Sequence, residues 1–351
     1  MIMAGGIGTR FWPLSTSKFP KQFHDVLGTG QTLIQQTYNR LKKITDPERI
    51  FVITDAMYSN LVAEQLPEIQ NNQIIAEPMG KNTAICALYS AMKIHKINPK
   101  AKILLCPSDH LIMNEDKFAK KANLAISNIE GQEGLYTLGI EPTRPDTGYG
   151  YIQYIENDSP IKKVKTFTEK PDRQLANQFL LSGDFLWNSG IFIWSAKTII
   201  DSFQKYLPEM YQSMASISSF LNTEEEAKKI KKVYPTLQKI SIDVGIMEKC
   251  RQVYVIPACF GWSDLGTWTS LYENLDRDKK RNAVIGNLIK LYHSKANMVL
   301  VEGKKAVVID GLENYIVVDT KDALLICPLD SDQQVKKYVN DLKLSKGENF
   351  V

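Results

Sequence analysis

Short β-branched runs alternate with longer stretches of helical periodicity through the first half of the chain, and this alternation restricts the fold more than any other feature. Ile50-Phe51-Val52-Ile53-Thr54 precedes a helical pattern over 56–66, Ile74-Ile75-Ala76 precedes one over 82–97, and Ile103-Leu104-Leu105-Cys106 precedes one over 116–128. Strands that pair in parallel need a long crossover between them, so this order predicts βαβ units, a mostly parallel sheet and helices on both faces. Ligands then bind beyond the carboxyl ends of the strands. From Leu135 to Phe167 the pattern becomes strand-like with turns, and Trp187 to Trp194 is an apolar run broken by Asn188, Ser189 and Gly190, so an antiparallel section is expected to extend the sheet. Residues 196–250 read as helical, and the charged stretch Glu224 to Lys232 reads as a solvated surface. Past Asn282, runs at 297–301, 305–309, 315–318 and 323–326 predict a small all-β domain closed by a helix over 332–342. The expected division is 1–281 and 282–351.

With 351 residues, 44% of them hydrophobic and 23% charged, the chain has enough apolar side chains for a sizeable core and none of the marks of disorder. A net charge of +4 is too thin for a nucleic-acid footprint, but it leaves room for a small anionic ligand. The five cysteines lie far apart with no CxxC and no zinc spacing, and are expected to be reduced. No apolar run approaches the roughly 20 residues of a membrane span. A cytoplasmic protein is expected.

The sharpest local signal is Ala4-Gly5-Gly6-Ile7-Gly8-Thr9-Arg10, followed by Pro13, Pro20 and Lys21. Glycines let backbone N–H groups approach a ligand, and consecutive N–H groups form a concave anion site. Phe11 stands where the dinucleotide fingerprint requires its third glycine, and the pattern GxxxxGK[ST] is missing too. The loop is therefore a different phosphate cradle, stiffened by two prolines so that Arg10 and Lys21 can converge on one polyphosphate. Its bland alternative is a tight turn with two solvated cations.

Two aspartates stand at strand ends. Asp109, in Pro107-Ser108-Asp109-His110, is either a ligand for Mg²⁺, a hard cation held by carboxylates and phosphates, or the N-cap of the next helix. Asp264, in Gly261-Trp262-Ser263-Asp264-Leu265-Gly266, repeats the placement, and the two make a candidate metal pair; His110 is expected to pack or cap. In Phe167-Thr168-Glu169-Lys170-Pro171, Lys170 suits a phosphate and Glu169 a pair of hydroxyls, a division fit for a sugar phosphate; an exposed ion pair in a turn is the alternative. Gly150 and Asn188 each fit the same pocket or a plain glycine hairpin. Asn82 or Thr83 caps a helix whose polar start would meet the ligand. No serine, cysteine or histidine carries a recognisable nucleophile motif.

The ordered motifs GGIGTRFWPLS, FPKQF, AEPMGKNTA, CPSDH, TGYGYI, FTEKP, WNSGIF, SIDVGIMEK and FGWSDLGTW span residues 4 to about 268 and closely resemble those of the sugar-phosphate nucleotidyltransferases. Within that family they are most similar to the mannose-1-phosphate guanylyltransferase group. The resemblance implies a Rossmann-like, glycosyltransferase-A-like mixed sheet, mostly parallel and flanked by helices, with a C-terminal domain like a left-handed β-helix. It implies GTP and mannose 1-phosphate as substrates, GDP-mannose and pyrophosphate as products, Mg²⁺ as cofactor and a homodimer. By matching position, Gly5, Gly6, Gly8, Thr9 and Ser108 would hold the nucleotide, with Glu77, Asn82 and Thr83 near base and ribose. Arg10 and Lys21 would neutralise phosphate charge, Gly150, Glu169, Lys170 and Asn188 would hold the sugar phosphate, and Asp109 and Asp264 the metal. Lys81, Ile85 and Val244 depart from the family's usual arginine, proline and aromatic residue. Another sugar 1-phosphate such as a heptose or glucose phosphate, another nucleoside triphosphate, or a non-catalytic nucleotide-sugar sensor are the competing readings. The chain lacks room for the isomerase domain of longer relatives, so that activity is not expected. Only four residues precede Gly5, short for a first strand, so residues upstream of Met1 are expected to be missing.

Overall fold

The computed structural model describes Met1–Val351 except Glu169, Lys346, Glu348 and Asn349. The chain packs as two compact units: Met1–Gly5 with Tyr38–Ser108 and Ile112–Trp262, and Gly6–Thr37 with Asp109–Leu111 and Ser263–Val351.

The first unit is built on a sheet of nine strands among the described residues. These are β1 (Ile2–Met3), β2 (Val52–Asp55), β3 (Ile74–Glu77), β4 (Lys102–Pro107), β5 (Leu135–Ile140), β6 (Tyr151–Ile155), β7 (Lys162–Thr168), β8 (Phe185–Ser195) and β9 (Val253–Ala258). Their order is β3-β2-β1-β4-β8-β5-β9-β7-β6. Strands β1 to β4 pair in parallel, as the βαβ rhythm predicts. Beyond β4 the sheet is mixed: β8 runs antiparallel to β4, β5 and β6, while β9 lies parallel to β5. Helix Thr83–Ile97, within the helical pattern read over 82–97, buries Ala84, Ala87, Leu88, Ala91 and Met92. Trp194, Phe192, Phe203 and Tyr234 fill the core that its other side shares with helix Ala196–Tyr206. The parallel strands leave Gly5, Asp55, Glu77 and Ser108 at or just after their carboxyl ends, with the Ser108 N–H donating to Met3 O at 2.9 Å and the Ala4 N–H to Ile53 O at 2.8 Å.

The charged stretch Glu224 to Lys232 needs a correction. Its lysines are solvated or half-buried, but Glu226 is only 9% exposed. It accepts from the Tyr89 hydroxyl at 2.6 Å, the Lys93 ammonium and the Asn222 N–H, so a buried charge is satisfied from three directions.

The second unit joins the glycine-loop segment to a β-helix-like stack. Strands Ala283–Ile285, Met298–Val301 and Tyr315–Asp319 run parallel, closed by the antiparallel Leu324–Pro328, and Leu288–Tyr292 pairs in parallel with Ala306–Asp310. Buried Asn297 ties successive coils, donating to Asn282 Oδ1 at 3.0 Å and Leu312 O at 2.8 Å while accepting from the Tyr315 N–H. Helix Val335–Leu344 presents Val335 and Val339 to this core, which also holds Phe11, Trp12, Leu14, Val26 and Leu33. No helix among the described residues is long and apolar enough to cross a membrane.

Candidate functional site

The glycine loop has its conformation fixed at Gly8. This residue caps a 3₁₀ turn, Thr9–Phe11, at φ 69°, and a Cβ there would lie 2.7 Å from the Cβ of Lys21. Only glycine admits both the positive φ and the close approach of the second half of the loop. Gly6 borders open space, and Arg10 is exposed with no ion pair among the described residues.

Lys21 is placed differently from a solvated cation. It is 3% exposed, and its ammonium pairs with Asp109 Oδ2 at 2.8 Å and donates to the carbonyls of Asp264 at 3.0 Å and Leu265 at 2.8 Å. All three donors of the ammonium are occupied, and the Phe11 ring lies 5.1 Å away. One ammonium thus gathers both sequence-predicted aspartates. Burial pushes the Asp109 carboxyl up, but Lys21 and then His110 outweigh it, so the group stays ionised below the usual carboxylate value. Asp264 Oδ1 accepts from the Gly266 N–H at 2.8 Å, closing a turn in which Leu265 adopts φ 44°. Helix Trp268–Asn274, capped by Thr267, begins after that turn, so Asp264 precedes the helix without capping it. Trp268 packs at a tilt against the Phe11 ring, centroids 4.7 Å apart, and its indole N–H donates to Trp12 O, which fixes loop and turn together. Among the described residues no group of three or more His, Cys, Asp or Glu side chains is arranged to hold a metal ion.

In the first unit, Glu77 ends β3 and is 6% exposed. Its Oε1 accepts from the Tyr234 hydroxyl, and its Oε2 lies 3.5 Å from where a Cβ on Gly5 would be. Burial raises its pKa to about 7, against the lowering bond from Tyr234 and with a further rise from Asp55. Asn82 caps helix Thr83–Ile97 through its own Oδ1 to the Thr83 N–H at 2.8 Å. The Thr83 hydroxyl accepts from the Ile242 N–H at 2.9 Å, which anchors the helix start to the chain before the π-helical turn Asp243–Met247. Lys81 bridges to the carbonyls of Pro235 and Leu237.

On β8, the Asn188 side chain donates to Asp243 Oδ1 at 2.6 Å and accepts from the Gly190 N–H, while its backbone N–H donates to Gly150 O at 2.8 Å. Gly150 and Asn188 therefore meet through their main chains, a contact that both the shared-pocket and the hairpin readings contain. Tyr149 packs edge-on against Trp187 and Trp262, each at 5.1 Å, with Arg144 over Trp187. Lys170 is exposed at φ 20°, and Glu169 lies outside the described residues. Asp243 and Tyr234, the hydrogen-bond partners of Asn188 and Glu77, were not singled out in the sequence. Asp243 lies within the quoted SIDVGIMEK motif, whereas Tyr234 has no local signal at all.

Residues 1–281 match the family described as Nucleotidyl transferase, and residues 293–342 match a MannoseP isomerase/GMP-like beta-helix domain. A mannose-1-phosphate guanylyltransferase of Salmonella montevideo is 37% identical over 100% of this chain and 75% of its own length. The alginate biosynthesis protein AlgA of Pseudomonas fluorescens is 35% identical over 97% of this chain and 71% of its own. A crystal structure described as a mannose-1-phosphate geranyltransferase, from Thermus thermophilus, superposes with a TM-score of 0.87 at 28% identity, covering 97% of this chain and 98% of that one. With its catalytic stretch and its β-helix matched in order, the chain belongs to the nucleotidyl transferase family.

Proposed function

We propose that this chain transfers a guanylyl group from GTP to α-D-mannose 1-phosphate, giving GDP-mannose and pyrophosphate. The full-length likeness to a mannose-1-phosphate guanylyltransferase supports the substrates. The observation that carries the chemistry is the Lys21 ammonium gathered with Asp109 and the Asp264 backbone behind a glycine loop that also presents Arg10. A sugar phosphate is already anionic near neutral pH, so its oxygen attacks the α-phosphorus in line while the bond to pyrophosphate breaks, and no general base is required. The remaining task is to offset repulsion between anions. Gly5, Gly6, Gly8, Thr9 and Ser108 bind the nucleotide, and Arg10 and Lys21 neutralise its phosphates and the departing pyrophosphate. Glu77, Asn82 and Thr83 serve the base and ribose; Gly150, Glu169, Lys170 and Asn188 serve the sugar phosphate.

The donor set fits Mg²⁺ in kind, since the Asp109 carboxylate and the Asp264 turn, whose backbone carbonyl meets the same ammonium, offer the hard oxygens this ion takes alongside substrate phosphates. Asp109 and Asp264 would hold it, and when bound it would neutralise charge on the triphosphate. The test is the single-turnover rate of pyrophosphate release from GTP and mannose 1-phosphate. Lys21→Ala lowers it by on the order of 10²-fold or more, as removal of one electrostatic donor does. The exposed Arg10→Ala, which disturbs no packing, lowers it by at least roughly tenfold. Unchanged rates in both variants would refute the assignment.

A further inference from the structure

We infer that Tyr234 is a positioning residue for base recognition: its hydroxyl holds one oxygen of Glu77 and leaves the other, on the Gly5 side, to accept from the N1–H and N2–H₂ edge of guanine. The inference rests on the guanylyltransferase reading and deepens it. Glu77 Oε1 is taken by the Tyr234 hydroxyl, and Oε2 makes no hydrogen bond among the described residues. That second oxygen lies beside Gly5, the last residue before the glycine loop enters the other unit, and the missing Cβ leaves a space there. Two acceptor lone pairs on one carboxylate oxygen match two adjacent N–H donors, which adenine, uracil and thymine do not present in this arrangement.

The tyrosine is itself held on several sides. It is fully buried, its ring packs edge-on to Tyr89 at 6.3 Å, and the Tyr89 hydroxyl is fixed by Glu226, which Lys93 neutralises. Lys81 clamps the two carbonyls that follow, Pro235 and Leu237. A donor fixed this way costs little reorganisation when the ligand arrives. The groups around Glu77 are Tyr234, Asp55, Cys86 and Tyr89; of these only the Tyr234 hydrogen bond favours the carboxylate over the acid. Burial, the largest effect, and Asp55 both favour the protonated form, which can no longer accept from both donors. Removing the tyrosine hydroxyl therefore shifts Glu77 toward protonation, and the pH at which GTP binds well moves upward.

Initial rates at varied GTP across pH 6 to 9 test this. In the unmodified chain, KM for GTP falls as pH rises through about 7, where Glu77 ionises. Tyr234→Phe is expected to raise KM for GTP by on the order of tenfold near neutral pH with a much smaller change in kcat, and the defect shrinks as pH rises. KM for inosine triphosphate, which lacks the 2-amino group, rises less. Glu77→Gln, which still accepts from Tyr234 but cannot ionise, flattens the pH dependence and serves if Tyr234→Phe does not fold. An unmodified chain that releases no pyrophosphate from GTP and mannose 1-phosphate overturns the underlying reading together with this one. An unmodified chain that does, with variants that keep its KM and its pH profile, overturns the role of Tyr234 alone.

Discussion

A buried ammonium with three filled donors is the central residue-scale fact. Lys21 holds Asp109 by charge and Asp264 through its backbone, so both aspartates named from sequence as a metal pair are tied to a cation named as a phosphate ligand. The residues at this point of the chain were legible because glycine, proline and charge at fixed spacing have few other uses. The pairing of Lys21 with Asp109 was not, since nothing in the long stretch of chain between them records which charges meet. Tyr234 was less legible still: its partner Glu77 is 157 residues away, and a lone aromatic in a helical stretch reads as core. The Asp264 side chain has a separable test. Asp264→Asn keeps the oxygen that accepts from the Gly266 N–H and loses the charge. It is expected to raise the Mg²⁺ concentration for half-maximal pyrophosphate release by roughly tenfold or more, the scale on which metal affinity answers to its ligand environment. An unaltered Mg²⁺ titration removes Asp264 from the metal site.

At the scale of elements, periodicity located β2, β3, β4 and the helix Thr83–Ile97, whose patterns are local. It left out Ala283–Ile285 and Leu288–Tyr292, because in a stacked coil Val284, Leu288 and Tyr292 turn outward and blur the alternation that marks a strand. What no local pattern reports is that these coils and the glycine-loop segment share one core. Phe11, Trp12, Leu14, Val26 and Leu33 lie in a cluster with Met298, Leu300, Ile316, Val318, Val335 and Val339. Ending the chain after Arg281 removes those last six side chains. At about 1.5–3 kcal/mol for each buried aliphatic group, the loss is comparable to the whole stability of a domain, about 5–15 kcal/mol. The chain 1–281 is therefore expected to release pyrophosphate at least tenfold more slowly and to melt at lower temperature; a fragment with the full rate and melting point would show that the coils are dispensable to the loop.

Across the whole molecule, sequence likeness and packing divide the chain at different places. The family match runs from 1 to 281, while the compact units part at Gly5, Thr37, Ser108, Leu111 and Trp262, because the loop 6–37 packs with 263–351. The residues assigned to phosphate charge, Arg10, Lys21, Asp109 and Asp264, belong to one unit, and those assigned to base, ribose and sugar, Glu77, Asn82, Thr83, Gly150, Lys170 and Asn188, to the other. Substrate identity is read from the reaction itself. The most direct test is a matrix of nucleoside triphosphates against sugar 1-phosphates with pyrophosphate release as readout. The account predicts that GTP with mannose 1-phosphate turns over fastest. Equal or faster release with UTP or dTTP, or with glucose or heptose 1-phosphate, contradicts the specificity, and no release from any pair contradicts the transferase itself.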